Sequence, residues 1–360
     1  MPTQLLGLTR DELRSLAEQW GLPAYRGSQL YHALYAERRF DFAQITNLPR
    51  ALRERLERDA VVGLPRIEKR FASSDGTVRY LLRLDDARTV ETVWMPEADR
   101  QTLCLSTQAG CAVMCRFCAT GRLGLLRNLS AAEIIGQVLL ALEDNREHLR
   151  PATNIVLMGQ GEPLLNYDAT LRALRLMADT EGMNIPWRRI TLSTSGIIPG
   201  IRRLAAELER PKLAISLNAT SEDERRRLMP VTRKYHLAEL MEVCRRYPLR
   251  PWERLTFEYV LLGGVNDSPQ DAARLIALLA GLRAKVNLIP WNPAPALPFS
   301  APDGERVESF QNSLRNSGLL AFIRKPRGQD IFAACGQLAS LETPFIPPAS
   351  LSGAAPGSAS

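Results

Sequence analysis

A chain of 360 residues, 45% of them hydrophobic, is long enough to bury one large core or two modest ones. Its apolar runs are too short to cross a bilayer, residues 1–25 alternate charge with leucine instead of forming a leader, and six cysteines, four within 104–118, do not resemble an extracellular disulfide framework. A cytoplasmic protein with no membrane partner is expected, and the net charge of +7 suits a polyanionic partner.

Thr9-Arg-Asp-Glu12 is a capping box, after which Leu13, Leu16, Ala17 and Trp20 recur at helical spacing until Gly21-Leu-Pro23. Tyr25 to Arg39 and Pro49 to Leu64 carry similar stripes, so residues 1–64 are expected to form a small helical domain. Its arginines, among them Arg26, Arg38, Arg50 and Arg53, suit RNA phosphates, although a solvated basic face reads the same way. From Arg66 to Met95 the period changes to two, with Asp85-Asp86 at a bend, which predicts a β-hairpin linker over 65–100.

From residue 101 onward β-rich runs alternate with amphipathic helices, the pattern of parallel βα units. Strands are predicted at Thr102–Ser106, Asn154–Met158, Arg189–Ser193, Leu213–Leu217, Thr256–Leu262 and Val286–Ile289, with a further extended piece at Ala321–Arg324. Ser130-Ala-Ala-Glu133 is a second capping box, and Cys244 follows Leu237, Leu240 and Met241 at core-facing helical spacing. Six such units make an α/β fold, a partial (β/α)6 barrel over 101–342, in which chemistry sits at the C-terminal strand ends. Residues 343–360, rich in Pro, Ala, Ser and Gly without periodicity, are expected to be a disordered tail.

Just after the first of these strands comes Cys111-Ala-Val-Met-Cys115-Arg-Phe-Cys118. Closely spaced thiolates are soft ligands that select zinc or an iron–sulfur cluster. Zinc sites normally show two separated ligand pairs, and none of His32, His148 or His236 lies near this loop, so a zinc reading needs Cys104 as its fourth ligand. A four-iron cluster held by three cysteines instead leaves one iron open to a small molecule. The Cys-x-x-x-Cys-x-x-Cys spacing with Phe117 before the last thiol resembles the radical S-adenosylmethionine (SAM) superfamily, and implies one [4Fe-4S] cluster on Cys111, Cys115 and Cys118 with SAM on the open iron.

Gly159-Gln-Gly161-Glu162-Pro163 follows the second strand, Ser193 and Ser195 the third, Ser216-Leu217-Asn218 the fourth, and Asn292 the sixth. Glycines there permit close backbone approach, and the carboxylate and small polar groups can accept and donate hydrogen bonds on one rim. Taken alone, such turns are common punctuation.

Leu103-Cys104-Leu-Ser-Thr-Gln-Ala-Gly-Cys111, Arg127-Asn-Leu-Ser130, Met158-Gly-Gln-Gly-Glu-Pro-Leu-Leu-Asn166, Ser193-Thr-Ser-Gly196, Asn287-Leu-Ile-Pro-Trp-Asn-Pro293 and Asp330-Ile-Phe-Ala-Ala-Cys-Gly-Gln-Leu338 together resemble the dual-specificity 23S ribosomal and transfer RNA adenine-C2 methyltransferases. The likeness runs from about residue 9 to 341 and implies SAM contacts at Gly161, Glu162, Ser193, Ser216, Leu217, Asn218 and Asn292. Family members commonly carry histidine where Asn218 stands, which leaves the donor at that contact open. Adenine C2 is not nucleophilic, and the resemblance implies a detour. Cys335 takes a methyl group from one SAM, a radical from a second SAM activates it, the carbon adds to the base, and Cys104 releases the product as a disulfide with Cys335 forms. Glu91 falls at the family's position for the base that takes the C2 proton, with Glu97 as a competitor. An external electron donor such as a flavodoxin system and a monomeric chain are expected. The sister C8-methylating enzymes and a zinc-stabilised RNA-binding protein without catalysis are the alternatives. Without the motif, Cys335 reads better as a small buried residue and Cys104 simply as a strand residue.

Overall fold

The computed structural model describes residues 2–294 and 297–338, so the expected tail at 343–360 lies outside the described residues. A short strand β1 (Thr3–Gln4) precedes helices α1 (Arg10–Gln19), α2 (Tyr25–Tyr35) and α3 (Arg50–Asp59), and β2 (Ala60–Val61) returns to pair in parallel with β1. The Thr9 capping box opens α1, with the Glu12 amide donating to the Thr9 hydroxyl and the Thr9 amide to the Glu12 carboxylate. Buried Leu13, Tyr31, Leu34 and Leu56 join these helices to the core of the rest of the chain. Both later helices stop short of their predicted ends, because Arg38 takes a left-handed backbone (φ 55°) after α2 and Ala60 is extended after α3.

Three antiparallel strands follow, β3 (Arg66–Ala72), β4 (Val78–Arg83) and β5 (Thr89–Pro96), one more than the alternation predicts. They do not stand apart as a hairpin. β5 pairs antiparallel with β6 (Arg100–Cys104), so all three continue the barrel sheet. After β6 come a small ladder β7 (Gln108–Gly110), the one-turn helix α4 (Ala119–Leu123), β8 (Leu125–Asn128), which pairs with β7, and helix α5 (Ala131–Asp144) with its Ser130 capping box.

The βα repeat then runs β9 (Ala152–Leu157), α6 (Tyr167–Ala178), β10 (Ile190–Thr194), α7 (Ile198–Ala205), β11 (Lys212–Ser216), α8 (Glu222–Leu228), α9 (Leu237–Arg245), β12 (Leu255–Leu261), α10 (Pro269–Leu279), β13 (Ala284–Pro290), α11 (Gly304–Asn316) and β14 (Leu320–Ile323). Each predicted strand lies within two residues of its observed place. The 10-stranded sheet has the order β14-β13-β12-β11-β10-β9-β6-β5-β4-β3, parallel from β6 to β14. Its edges, β14 and β3, do not pair with each other, so the barrel is partial and leaves an opening beside β14. Cys244 is buried on α9 beside Leu240 and Met241, as its helical spacing predicts.

A second, smaller apolar cluster matters for the site. Phe117, Ala119, Leu228, Met229, Leu262 and Trp291 pack around the cysteine loop and fasten it to the mouth of the barrel.

Candidate active site

The loop Cys111–Cys118 is held from three sides. The Arg116 amide donates to Leu228 O (2.9 Å), the Trp291 indole N–H to Phe117 O (3.0 Å), and the Cys111 amide to Gly124 O (2.8 Å). Cys111, Cys115 and Cys118 all line a cavity of about 160 Å³ that is also walled by Gly161, Glu162, Ser193, Ser216, Asn218, Glu258 and Cys335. Burial pushes the Cys111 thiol up to about 12 and Cys115 also well above its ordinary range. Such thiols stay protonated unless a cation pays for the thiolates, and a bound cluster supplies that charge. Among the described residues no group of three or more His, Cys, Asp and Glu side chains is arranged to hold a single metal ion. Cys104 does not line this small cavity, although Cys118 also reaches the larger one on which Cys104 lies. Three cysteines on one wall suit a cluster held by three thiolates, whereas a structural zinc takes four protein ligands.

The strand ends supply the rest of this small cavity. Gly161 takes φ +101°, and a Cβ there would sit 2.7 Å from the Gln108 backbone nitrogen, so only glycine lets the loop lie against β7. Glu162 is buried, and burial raises its pKa. Its Oε2 accepts from the Ser195 amide and hydroxyl (both 2.7 Å), and its Oε1 from the Leu164 amide (3.1 Å). Ser193 and Ser216 place their hydroxyls 3.2 Å apart across β10 and β11. Asn218 adopts φ 59°, a conformation asparagine tolerates. Its Oδ1 accepts from the Val260 amide (2.9 Å), which leaves Nδ2 against Met229 Sδ (3.4 Å) at the cavity wall.

Two of the expected SAM contacts do not line this small cavity. The Leu217 side chain is fully buried in the main core and lines neither cavity, and its carbonyl is taken by Arg225 (3.1 Å). Asn292 faces a second, larger cavity, where its Nδ2 donates to Cys335 O (3.2 Å) and its Oδ1 accepts from Gln329 (2.8 Å).

That larger cleft measures about 630 Å³, within the range that takes a nucleoside, and opens beside β14. Cys104 at the end of β6 and Cys335 in the C-terminal segment both line it. The C-terminal segment reaches the cysteine loop because the Ala119 amide donates to Gly336 O (2.8 Å) and the Thr120 hydroxyl to Leu338 O (2.6 Å). Cys335 therefore borders both cavities, while Cys104 borders only the cleft. Cys335 is open to solvent through the cleft, yet the surrounding protein shields it. Burial first and the nearby Glu258 carboxylate second push its thiol up to about 11, against the lowering effect of Arg324. Burial raises Cys104 further still.

Glu91 is not brought to this cleft. It sits on β5 with no exposed surface, in an ion pair with the equally buried Arg79, and accepts from Gln160 Nε2 (3.3 Å). It lines neither cavity, whereas its competitor Glu97 stands on the cleft wall paired with Arg100.

Two charged residues that the sequence does not assign to the catalytic site belong to it. Glu258 on β12 borders both cavities. Its Oε1 accepts from Asn287 (2.8 Å), and burial raises its pKa, opposed by Asn287, Arg324 and Lys285. In sequence, Arg225-Arg-Arg227 with Arg233-Lys234 reads equally as a grip on RNA phosphates or as a solvated face, but Arg225 is fully buried on α8 and is neither. Its guanidinium instead donates to Leu217 O (3.1 Å), Thr232 Oγ1 (2.9 Å), Ser195 O (2.6 Å) and Ser216 O (3.3 Å), all neutral acceptors. Burial lowers its pKa only to about 10, so it remains a cation at neutral pH, next in charge to Cys115.

Comparisons with known proteins agree with this arrangement. Residues 105–276 match the model of the radical SAM superfamily, and residues 3–62 that of the ribosomal RNA large subunit methyltransferase N-terminal domain. The chain is 53% identical over 342 residues to a probable dual-specificity RNA methyltransferase RlmN of Koribacter versatilis, covering 90% of this chain and 98% of that protein. It is 47% identical to the dual-specificity RNA methyltransferase RlmN of Rhodospirillum rubrum, covering 94% of this chain and 81% of the other. The chain belongs to the RlmN family of radical SAM methyltransferases. Its fold is shared at a TM-score of 0.91 and 45% identity with the crystal structure of a radical SAM methyltransferase from Sphaerobacter thermophilus, covering 94% of this chain and all of that one. As an RlmN-family member the chain carries the N-terminal family domain as well as the barrel. Among the described residues no helix is long and apolar enough to cross a membrane.

Proposed function

We propose that this chain methylates C2 of an adenosine in 23S rRNA and in tRNA, in the cytoplasm, as a monomer. The single observation that carries this reading is Cys335, which borders the three-thiol cavity on one side and shares the nucleoside-sized cleft with Cys104 on the other. A one-carbon unit on its sulfur can therefore be loaded from the first cavity and delivered in the second.

Cys111, Cys115 and Cys118 would hold a [4Fe-4S] cluster, and Glu162, Ser193, Ser216 and Asn218 line the space beside it for SAM. When bound, the cluster supplies the electron that makes SAM a radical source. Cys335 must lose its proton before its sulfur can take a methyl group, and Glu258, whose charge raises the thiol pKa, is placed to accept it. Protonating Glu258 also removes the carboxylate charge that opposes a thiolate there. Cys104, as its thiolate, stands ready to attack the sulfur of Cys335 at the end of the cycle. The S–S bond forms as the S–C bond to the base's new carbon breaks, and that carbon keeps the electron pair and takes a proton. An external reductant then returns the disulfide to two thiols. The strongly raised pKa of Cys104 keeps it a thiol until it is needed.

For the C2 proton the family likeness points to Glu91, which takes that role only if its pair with Arg79 opens, while Glu97 already faces the cleft. Lys285, Arg324, Lys325 and Arg327 line the same cleft and suit RNA phosphates. We assign residues 1–64 to an RNA-binding accessory domain, 65–100 to a linker that extends the sheet, and 101–342 to the catalytic barrel.

The experiment is anaerobic reconstitution with iron and sulfide, followed by mass spectrometry of 23S rRNA and tRNA treated with SAM and a reductant. A methyl group on adenosine C2 supports the reading. A methyl group on C8, or a colourless protein with stoichiometric zinc and unmodified RNA, overturns it.

A further inference from the structure

Between Asp99 and Glu133 the sequence holds no carboxylate and four arginines, Arg100, Arg116, Arg122 and Arg127. This acid-free stretch contains the cysteine loop, and the fold wraps one part of it over another. Gly121 packs so closely on the loop that a Cβ would lie 2.6 Å from Cys115 O, and Gly124 O accepts from the Cys111 amide. Residues 121–126 therefore lie directly against the thiol ligands. The surface they make with the loop is apolar. Met114 is 54% exposed, Leu123 42%, Leu125 46% and Leu126 57%, and among the described residues no further strand pairs with the two-stranded ladder of β7 and β8.

Adjacent exposed leucines on a two-stranded ribbon are costly in water unless something covers them. Methionine and arginine, like the aromatic residues, are enriched at protein interfaces. Here the apolar centre is flanked by exposed Arg116 and Arg122, and by exposed Arg227 on α8, whose neighbour Leu228 accepts the Arg116 amide. Arg127 is turned aside into ion pairs with Asp86 and Glu133 and does not contribute. The patch carries no aromatic side chain on which a base could stack, and the cleft has its own separate basic lining from β13 and the segment after β14. An RNA strand is therefore the poorer fit.

The chemistry of the site demands a visitor of another kind. A cluster on these three cysteines takes one electron from outside the chain, and electron transfer weakens steeply with distance. Met114 stands between two of the ligands with over half its side chain exposed, so the patch is the short way in. We infer that the surface formed by Met114, Leu123, Leu125 and Leu126, ringed by Arg116, Arg122 and Arg227, is the docking site of an acidic one-electron donor protein. The donor loses one electron, the cluster gains it, and no proton or bond changes at the interface. The inference rests on the cluster reading above, but not on the RNA chemistry.

The test uses full-length, cluster-loaded protein without RNA, mixed anaerobically with a reduced flavodoxin or with dithionite, and follows bleaching of the cluster's visible absorbance. In L125E/L126E and in R122E, reduction by flavodoxin should slow by about tenfold or more, as expected for loss of interface anchors and of rim charge. Reduction by dithionite, iron content and RNA affinity should match the unaltered protein. Raising the salt should slow the unaltered protein with flavodoxin and narrow its lead over R122E. If L125E/L126E fails to keep its iron, L126S with R122E takes its place. Flavodoxin rates equal to those of the unaltered protein would overturn the inference, and so would a parallel loss of RNA affinity, which would make the patch an RNA surface. Methylation driven by dithionite is scored separately, so a failure there strikes the proposed RNA chemistry and leaves the docking result readable.

Discussion

The two groups of thiols in this molecule are built in opposite ways. Cys111, Cys115 and Cys118 are neighbours in sequence, held by one loop on one small cavity. Cys104 and Cys335 come from the first barrel strand and from the segment after the last one, and share the cleft because bonds such as those of Ala119 and Thr120 to Gly336 and Leu338 hold the C-terminal segment to the loop. The first group is a local motif that survives much rearrangement elsewhere. The second is a product of the complete fold, so it should be the more sensitive to changes far from the chemistry. Cys118 and Cys335 both border the two cavities, and there the two designs join.

The largest expected effects fall on the thiols themselves. Cys335→Ala should abolish RNA methylation while SAM cleavage to 5′-deoxyadenosine stays measurable, because the three-thiol loop is untouched. Cys115→Ser should abolish both and lower the iron content. Loss of SAM cleavage in Cys335→Ala, by chromatographic assay, would mean that the two groups do not act separately.

Arg225 ties the small cavity together, so Arg225→Gln comes next. It leaves several of the Ser195, Ser216 and Leu217 carbonyls without a donor, at about 1–3 kcal/mol for each buried group left unpaired. Denaturant unfolding should show a loss on that order, together with poorer cluster loading. Arg225→Lys keeps the charge but not the fork, so it should restore loading more than stability.

Glu258→Gln tests the cleft through pH. Below its pKa of about 11 the Cys335 thiolate fraction rises with pH, so alkylation of Cys335 by iodoacetamide should quicken as pH increases. Removing the Glu258 charge removes a cause that raises this pKa, so the variant should be alkylated faster at pH 8. If Glu258 accepts the thiol proton during methyl loading, the same variant should be methylated more slowly on Cys335, with recovery at high pH. Peptide mass spectrometry reads both, and changes of the same sign would refute the proton-acceptor role.

The smallest expected effect is Gly161→Ala, which combines a left-handed φ of +101° with a Cβ 2.7 Å from Gln108. It should cost about 1–3 kcal/mol of stability from backbone strain and weaken SAM binding before it touches RNA affinity. Calorimetry with SAM and with RNA distinguishes the two.

Much of this was legible from residue order. Capping boxes at Thr9 and Ser130, the alternation of strand and helix, and the burial of Cys244 all follow from local periodicity, which survives folding unchanged. What could not be read are charges whose burial depends on tertiary contacts. Arg225, Arg226 and Arg227 look alike in sequence, but successive helix positions point about 100° apart, so α8 turns only the first of them inward. Glu91 and Glu258 sit on strands whose both faces are covered, Glu91 once β5 joins the barrel sheet, and nothing local announces that joining. Glu97, one strand end further along, stays at the cleft.

The central claim is that Cys335 carries the new carbon to RNA and Cys104 releases it. Cys104→Ala, incubated with SAM, reductant and substrate RNA, should stop after one event with RNA fixed to the protein, seen as a slow band on a denaturing gel and lost in Cys104→Ala/Cys335→Ala. Free, multiply turned-over methylated RNA from Cys104→Ala would contradict the account.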